Sequence, residues 1–154
     1  IAKELSRDHL KLELPLLDAA VSGIILGFRP SDREMREQAE RSWETLKPLL
    51  SHHLLSEDET VLPWAASMNG FPPHMMERIH RSHSELRSLA RALTTVSFEE
   101  DSDELVSQAG KALCMLAVKL DDMIDSEEMR MLPALRKLLF AHPETASEAG
   151  LSGC

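Results

Sequence analysis

A histidine and a glutamate interrupt an apolar stripe in the middle of the chain. His53 and Glu57 are four residues apart, so in a helix they share one face with Leu46, Leu49 and Trp64. A glutamate is rarely buried without a partner, because desolvating an unpaired charge costs several kcal/mol. Something inside the protein must compensate Glu57, and a metal ion is the leading candidate.

Further residues of the same chemical types occur at inward positions of other apolar stripes. His9 lies near the N-terminus, His83 in a third stripe and Glu127 in a fourth, while His80 lies one step off the centre of the third. Imidazole suits iron, zinc and copper, and two facing carboxylates can each bridge two cations. The sequence therefore predicts a metal site whose candidate ligands are His9, His53, Glu57, His80, His83 and Glu127.

Four amphipathic helices must position these residues. The spacing of apolar residues predicts helices over 3–27, from Ser31 through Trp64, over 73–96 and over 103–141. Ser31 and Glu34 have the form of a capping box, which predicts Ser31 as the N-cap of the second helix. Pro15 predicts a bend in the first helix or an inserted residue just after His9.

An internal repeat relates the second predicted helix to the fourth. It aligns Glu57 with Glu127, Asp58 with Glu128 and Pro63 with Pro133. The pattern predicts an all-α fold: an antiparallel up-down-up-down four-helix bundle with an internally duplicated helix pair, in which the two glutamates face each other. The bundle is expected over residues 1–142, and residues 143–154 are expected to form a frayed tail.

Composition narrows the class of protein. A chain of 154 residues predicts one domain, and a formal charge of −9 argues against nucleic acid as a partner. The chain has no apolar run of about 18 residues and no secretion-type N-terminus, so we expect a cytoplasmic protein with no membrane partner. The two cysteines, Cys114 and Cys154, are not spaced as a metal motif.

Over about residues 3–141 the chain resembles the hemerythrin-like family, the HHE cation-binding domain. The motifs that carry the resemblance are Asp8-His9, His53 to Glu57 followed by Leu62-Pro63, His83, and Glu127-Glu128 followed by Leu132-Pro133. The resemblance implies a non-haem di-iron centre with Glu57 and Glu127 as bridging carboxylates. It also implies dioxygen binding at the iron held by His9 and His53, because that iron keeps an open coordination position.

The sequence departs from the family pattern at the second iron. The family's fourth helix normally carries a histidine four residues before the carboxylate, where this chain has Met123, and a thioether is a poor ligand for iron. Some members also carry a second histidine in the third helix, for which His80 is only a partial substitute. The sequence leaves open whether Asp122, Asp125 or water completes this site, or whether only one metal binds tightly.

These observations together predict an iron protein that binds or senses dioxygen or a related small oxidant, or handles iron; its assembly as a homodimer is left open. One alternative is an enzyme that activates oxygen or peroxide, for which Gly23 and Gly27 would have to leave room for a pocket beside the metals. Another is a haem-binding regulatory bundle that uses His and Met123 as axial ligands. The last is a metal-free interaction module.

Overall fold

The fold consists of four helical rods, two of which contain a π turn. The computed structural model describes residues 2–99 and 101–142, with side chains from residue 4 onward. In this part of the chain the helices are α1 (Ala2–Phe28), α2 (Arg33–Ser56), α3 (Leu62–Ser67), α4 (Pro73–Thr94), α5 (Asp103–Ser126) and α6 (Leu132–Ala141). The first π turn (Glu57–Val61) joins α2 to α3, and the second π turn (Glu127–Met131) joins α5 to α6. The four rods are therefore α1, α2 with α3, α4, and α5 with α6.

The all-α four-helix class is confirmed. The up-down connectivity and the internal duplication stay predictions. The predicted tail over 143–154, with Cys154, lies outside the described residues. Among the described helices, none combines the length and the apolar composition that crossing a bilayer requires.

The N-cap of α2 is Asp32, so the prediction of Ser31 was wrong by one residue. Asp32 has extended backbone angles, and its carboxylate accepts a hydrogen bond from the amide of Met35 at 3.2 Å. A carboxylate at this position also interacts favourably with the positive end of the helix dipole, which a serine hydroxyl does less well. Ser102 caps α5 in the same way through the amide of Leu105.

The two π turns were not predicted, and each ends just before a Leu-Pro pair. In the first, the amide of Leu62 donates to the carbonyl of Glu57, five residues back. Pro63, the next residue, has no N–H, and its ring would crowd the carbonyl of Glu59 in a regular α-helix. The wider turn relieves this crowding. The second π turn is built in the same way before Pro133, with Leu132 donating to Glu127.

Pro15 has a smaller effect than predicted. Helix α1 runs from Ala2 to Phe28 as a continuous α-helix, and no π turn is described within it. Of the two predicted effects, the inserted residue after His9 is therefore not there, and the bend stays a prediction.

The apolar core is divided into two clusters by a polar layer. On α1, Leu5 belongs to one cluster and Leu12 to the other, and the buried His9 lies between them. On the other rods the residues between the clusters are His53 with Glu57, His83 and Glu127. The polar layer is thus closed by apolar packing at both ends of the bundle, which isolates it from bulk water.

Helices α1 and α5 approach so closely that their backbones touch. A Cβ atom added to Gly23 would lie 2.7 Å from the carbonyl oxygen of Gly110 and 2.8 Å from the amide nitrogen of Cys114. The room for a pocket that the enzyme alternative requires is therefore not present at Gly23, because the backbone of α5 occupies that space. Gly27 faces only the flexible side chain of Lys111, at 3.4 Å.

We expect the substitution Gly23→Ala to lower the free energy of unfolding by about 1–3 kcal/mol, because the added methyl group must push two helix backbones apart. Gly27→Ala is the matched control on the same helix. It meets a side chain that can move and gains helix propensity, so it should be neutral or stabilising. Denaturant unfolding of both variants measures the difference, and equal effects would contradict the close crossing.

Candidate metal site

Five titratable side chains are buried together in the polar layer of the described structure. They are His9 from α1, His53 from α2, Glu57 from the first π turn, His83 from α4 and Glu127 from the second π turn. None is more than 2% exposed. Each rod of the bundle contributes at least one of them, so the cluster forms only when all four rods pack.

One side of the cluster is formed around His9 and His53. Together with Glu57 and Glu127, each of these histidines offers a ligand atom, and the four atoms lie within 4.8 Å of one another. The Nε2 atoms of His9 and His53 lie 3.0 Å and 3.4 Å from Oε2 of Glu127. The two imidazole rings meet edge to face, with their centroids 5.1 Å apart. This geometry can hold one cation with nitrogen and oxygen ligands.

His83 forms the other side of the cluster. Its Nε2 atom lies 3.3 Å from Oε2 of Glu57 and 3.9 Å from Oε1 of Glu127. The two carboxylate oxygens of Glu127 therefore face different histidines: Oε2 faces His9 and His53, and Oε1 faces His83. A carboxylate placed in this way between two nitrogen groups has the arrangement of a ligand shared by two cations.

Several polar atoms of this layer have no hydrogen-bond partner among the described residues. They are both ring nitrogens of His53, both carboxylate oxygens of Glu57, Nε2 of His83 and Oε1 of Glu127. Native proteins rarely leave such atoms unsatisfied, because each costs about 1–3 kcal/mol, and more when the group is charged. A bound cation would satisfy the carboxylate oxygens and the imidazole nitrogens together, so the residues present fit a metal.

Two further acids orient the histidines from outside. Nδ1–H of His9 donates to Glu128 at 2.8 Å, and Nδ1–H of His83 donates to Asp58 at 2.8 Å. Arg87 in turn binds the second oxygen of Asp58. Because a carboxylate can only accept, each bond places the proton on Nδ1 and leaves the Nε2 lone pair for a metal.

Asp58 and Glu128 were not predicted to take part in the site. The signal was present, since each acid directly follows a site glutamate and the two align in the repeat. Their partners lie on other helices, however, which periodicity along one helix does not reveal.

The charges of the layer shift the pKa values of its members. Burial raises the pKa of Glu57, and the negative charge of Glu127 raises it further. Burial would raise the pKa of Glu127 too, but the surrounding His53, His83 and His9 hold it well below its usual range. Burial alone would lower the pKa of His83, yet Glu127, Glu57 and Asp58 raise it to about 10. In the metal-free layer the neighbouring carboxylates, Glu127 first among them, thus favour the protonated forms of His83 and His9 by raising the pKa of each.

The structure does not bring His80 into the cluster. Its side chain is exposed, and its Nδ1 atom lies 3.9 Å from Asp58 at the edge of the site. Met123, which stands where the family carries a histidine, is buried one turn before Glu127. Asp122 and Asp125 are exposed. The His83 side therefore has fewer nitrogen ligands than the side of His9 and His53.

Two cavities lie between α4 and the second π turn. The larger, about 520 Å³, is open to solvent, and Met123 and Asp122 line part of it. The smaller, about 40 Å³, is lined by Glu127 itself and by Ile79, one turn before His83. The cavities share Arg78, Ser126 and Arg130. The two cavities therefore lie next to each other, and the smaller one reaches Glu127 of the cluster.

We expect the metal-free protein to lose stability as the pH rises from about 6.5 to about 10. The pKa of His83 is about 10 in the folded protein against 6.5 ordinarily, so its contribution is complete below pH 6.5 and is lost as the pH passes the folded value. The raised pKa of Glu57 acts in the same direction.

Denaturant unfolding of the metal-free protein across this range measures the slope. His83→Gln should flatten it, whereas His80→Gln, which changes an exposed histidine, should not. A wild-type stability that stays level over this range would contradict the assignment.

Comparisons with known proteins place the chain in a family. The family model described as the hemerythrin HHE cation binding domain matches residues 2–135, a range that includes all five buried site residues. A comparison with curated proteins and one with solved structures returned no match. Because the match covers most of the 154 residues, the predicted resemblance is confirmed, and the chain belongs to the hemerythrin HHE cation-binding domain family.

Proposed function

We propose that this protein holds a pair of non-haem iron ions and uses them to bind or sense dioxygen or a related small oxidant. The observation that carries the proposal is the position of Glu127, whose two oxygens face His9 and His53 on one side and His83 on the other. In this proposal His9 and His53 hold one ion, His83 holds the other, and Glu57 and Glu127 bridge them.

The donor set favours iron. It combines imidazole nitrogens with carboxylate oxygens, and the described cluster contains no thiolate. Soft thiolate sites select copper(I), zinc or iron–sulfur clusters, and sites made of oxygen alone select magnesium, calcium or manganese. A mixed set inside a helical bundle is the general way in which carboxylate-bridged di-iron sites are built.

The two ions are held unequally in this proposal. The side with His9 and His53 has two imidazoles, but the other side has only His83, because Met123 carries a thioether and His80 is exposed. Fewer protein ligands leave more coordination positions for water or a small oxidant, so the ion beside His83 is the weaker-bound of the two. This differs from the family resemblance, which implies dioxygen binding at the iron held by His9 and His53.

The cavities support a small ligand. The space beside Glu127 is about 40 Å³, enough for one or two atoms the size of water but not for an organic substrate. The same limit argues against a haem, whose macrocycle needs a far larger space next to its axial ligands. A metal-free module is disfavoured by the two carboxylate oxygens of Glu57, which are buried without a hydrogen-bond partner among the described residues.

Each part of the site has a chemical task in this proposal. Ferrous iron, when bound, supplies electrons and exchangeable coordination positions. Glu128 and Asp58 keep the Nε2 atoms of His9 and His83 directed at the metals. The apolar clusters at both ends exclude bulk water, which slows the loss of a reactive oxidant.

The test is to load the protein with iron under anaerobic conditions, count the iron per chain and record the visible spectrum before and after air. We expect two ions per chain and a charge-transfer band that appears with oxygen. Glu57→Ala should abolish stoichiometric binding, because it removes a shared ligand. Glu59→Ala, in the same π turn but exposed, is the matched control. Unchanged iron content in Glu57→Ala would overturn the di-iron proposal, and a sharp Soret band would favour haem.

We further expect His83→Ala to lose only one of the two ions, because His83 is the nitrogen ligand of only one side. His80→Ala should keep both, since His80 is exposed. Metal analysis after gel filtration measures the number retained. Loss of both ions, or of neither, in His83→Ala would count against the assignment of sides.

A further inference from the structure

Helix α1 carries a second apolar face that points to solvent. We call it the outer stripe, and its members are Leu10, Leu14, Leu17, Val21, Ile24 and Phe28. These side chains are between 42% and 85% exposed, and neither core cluster includes them. The inner face of the same helix packs on α2 and α5 and carries His9. A helix that is apolar on opposite faces is typically buried on both.

The spacing of the outer stripe is that of a coiled-coil seam. Its members alternate between four and three residues apart over the whole stretch from Leu10 to Phe28. This places them at two positions of every seven, the a and d positions of a heptad, which is the narrow stripe that one helix presents to another. The surface therefore fits an α-helix with the same repeat.

We propose that the occupant is α1 of a second copy of this chain, packed antiparallel across a two-fold axis near residue 19. Every copy carries the matching repeat, and a two-fold interface uses the same patch on both subunits. In this register Leu10 lies against Phe28 of the second copy, Leu14 against Ile24 and Leu17 against Val21. The two-fold axis repeats each of these three residue pairs, so every member of the outer stripe has a partner in the second copy.

The exposed area is close to what a stable dimer needs. At on the order of 100 Å² for each of the six side chains, the outer stripe supplies about 600 Å² per subunit, against roughly 800 Å² for an interface of standard size. Val118, half exposed on the neighbouring α5, can extend the contact. A patch this large is at the upper limit for the surface of a monomer.

Charges at the edges of the stripe favour the antiparallel direction. In the first half the flanking residues are Lys11, Glu13 and Asp18, and in the second half they are uncharged. A parallel pair would place Glu13 beside Asp18 of the other copy on both sides of the seam. In the antiparallel pair, the charged first half of each stripe packs against the uncharged second half of the other copy. The like charges that remain close are the two copies of Asp18, near the two-fold axis.

The test begins with the molecular mass of the iron-loaded full chain, by light scattering after gel filtration and by sedimentation. We expect a dimer at micromolar concentration. Leu17→Glu should weaken association on the order of 100-fold, because it places a charge in the seam. Leu55→Glu changes a similarly exposed leucine on α2, 51% against 58% for Leu17, and should leave the dimer intact.

A second pair of variants tests the register. Val21→Lys alone should also be monomeric, but an equimolar mixture with Leu17→Glu should form a heterodimer, because the antiparallel register brings these positions together. Circular dichroism and iron content establish that each variant is folded. A monomeric wild type, or equal effects of Leu17→Glu and Leu55→Glu, would overturn the proposal, as would a mixture that stays monomeric.

Wild-type protein that stays monomeric yet binds anionic phospholipid vesicles would assign the outer stripe to a membrane surface instead. The iron count is measured in the same samples. A failed di-iron proposal is therefore distinguished from a failed dimer, since the members of the stripe are exposed to solvent and His9 is buried in the bundle.

Discussion

The structure depends on keeping two carboxylates, Glu57 and Glu127, inside the core of a helical bundle. Two negative charges this deep in a protein would repel each other and lack the hydration that they have in water. The buried histidines around them are the compensation that the chain itself provides, and in the metal-free protein the neighbouring carboxylates raise the pKa values of His9 and His83, so that these two keep their protons. A bound cation would offset the negative charge of the two glutamates more strongly than those protons do. Its binding would release the protons.

The backbone is adapted to this layer at the same two positions. Each glutamate begins a π turn, and each π turn ends just before a Leu-Pro pair. The proline makes a regular helix unfavourable one turn beyond the glutamate, and the wider turn accommodates the change there. The acid that follows each glutamate then points to a histidine of another rod: Asp58 to His83 and Glu128 to His9. One local pattern therefore supplies both a buried carboxylate of the site and the group that orients one of its histidines.

Helix α1 links this layer to the rest of the molecule. It contributes His9, it touches the backbone of α5 at Gly23, and it presents the outer stripe to solvent. The inner face was predicted from the sequence, because Leu5, His9 and Leu12 follow a helical period. The residues of the outer face also follow a helical period, so their spacing alone does not distinguish them from a core face. Their exposure distinguishes them, and exposure is a property of the packed bundle.

The sequence by itself determined the helical class, the family and the inward positions of His9, His53, Glu57, His83 and Glu127, because a period of 3.6 residues fixes the face of a helix on which each residue lies. It did not determine how far apart those faces lie or how each rod is rotated, since both depend on packing between rods. Only the tertiary structure therefore decided that His80 stays outside while His83 enters, and which oxygen of Glu127 faces which histidine. It likewise decided that Gly23 lies against the backbone of α5 and not beside a pocket. These are distances between segments far apart in the chain, and no periodicity within one helix encodes them.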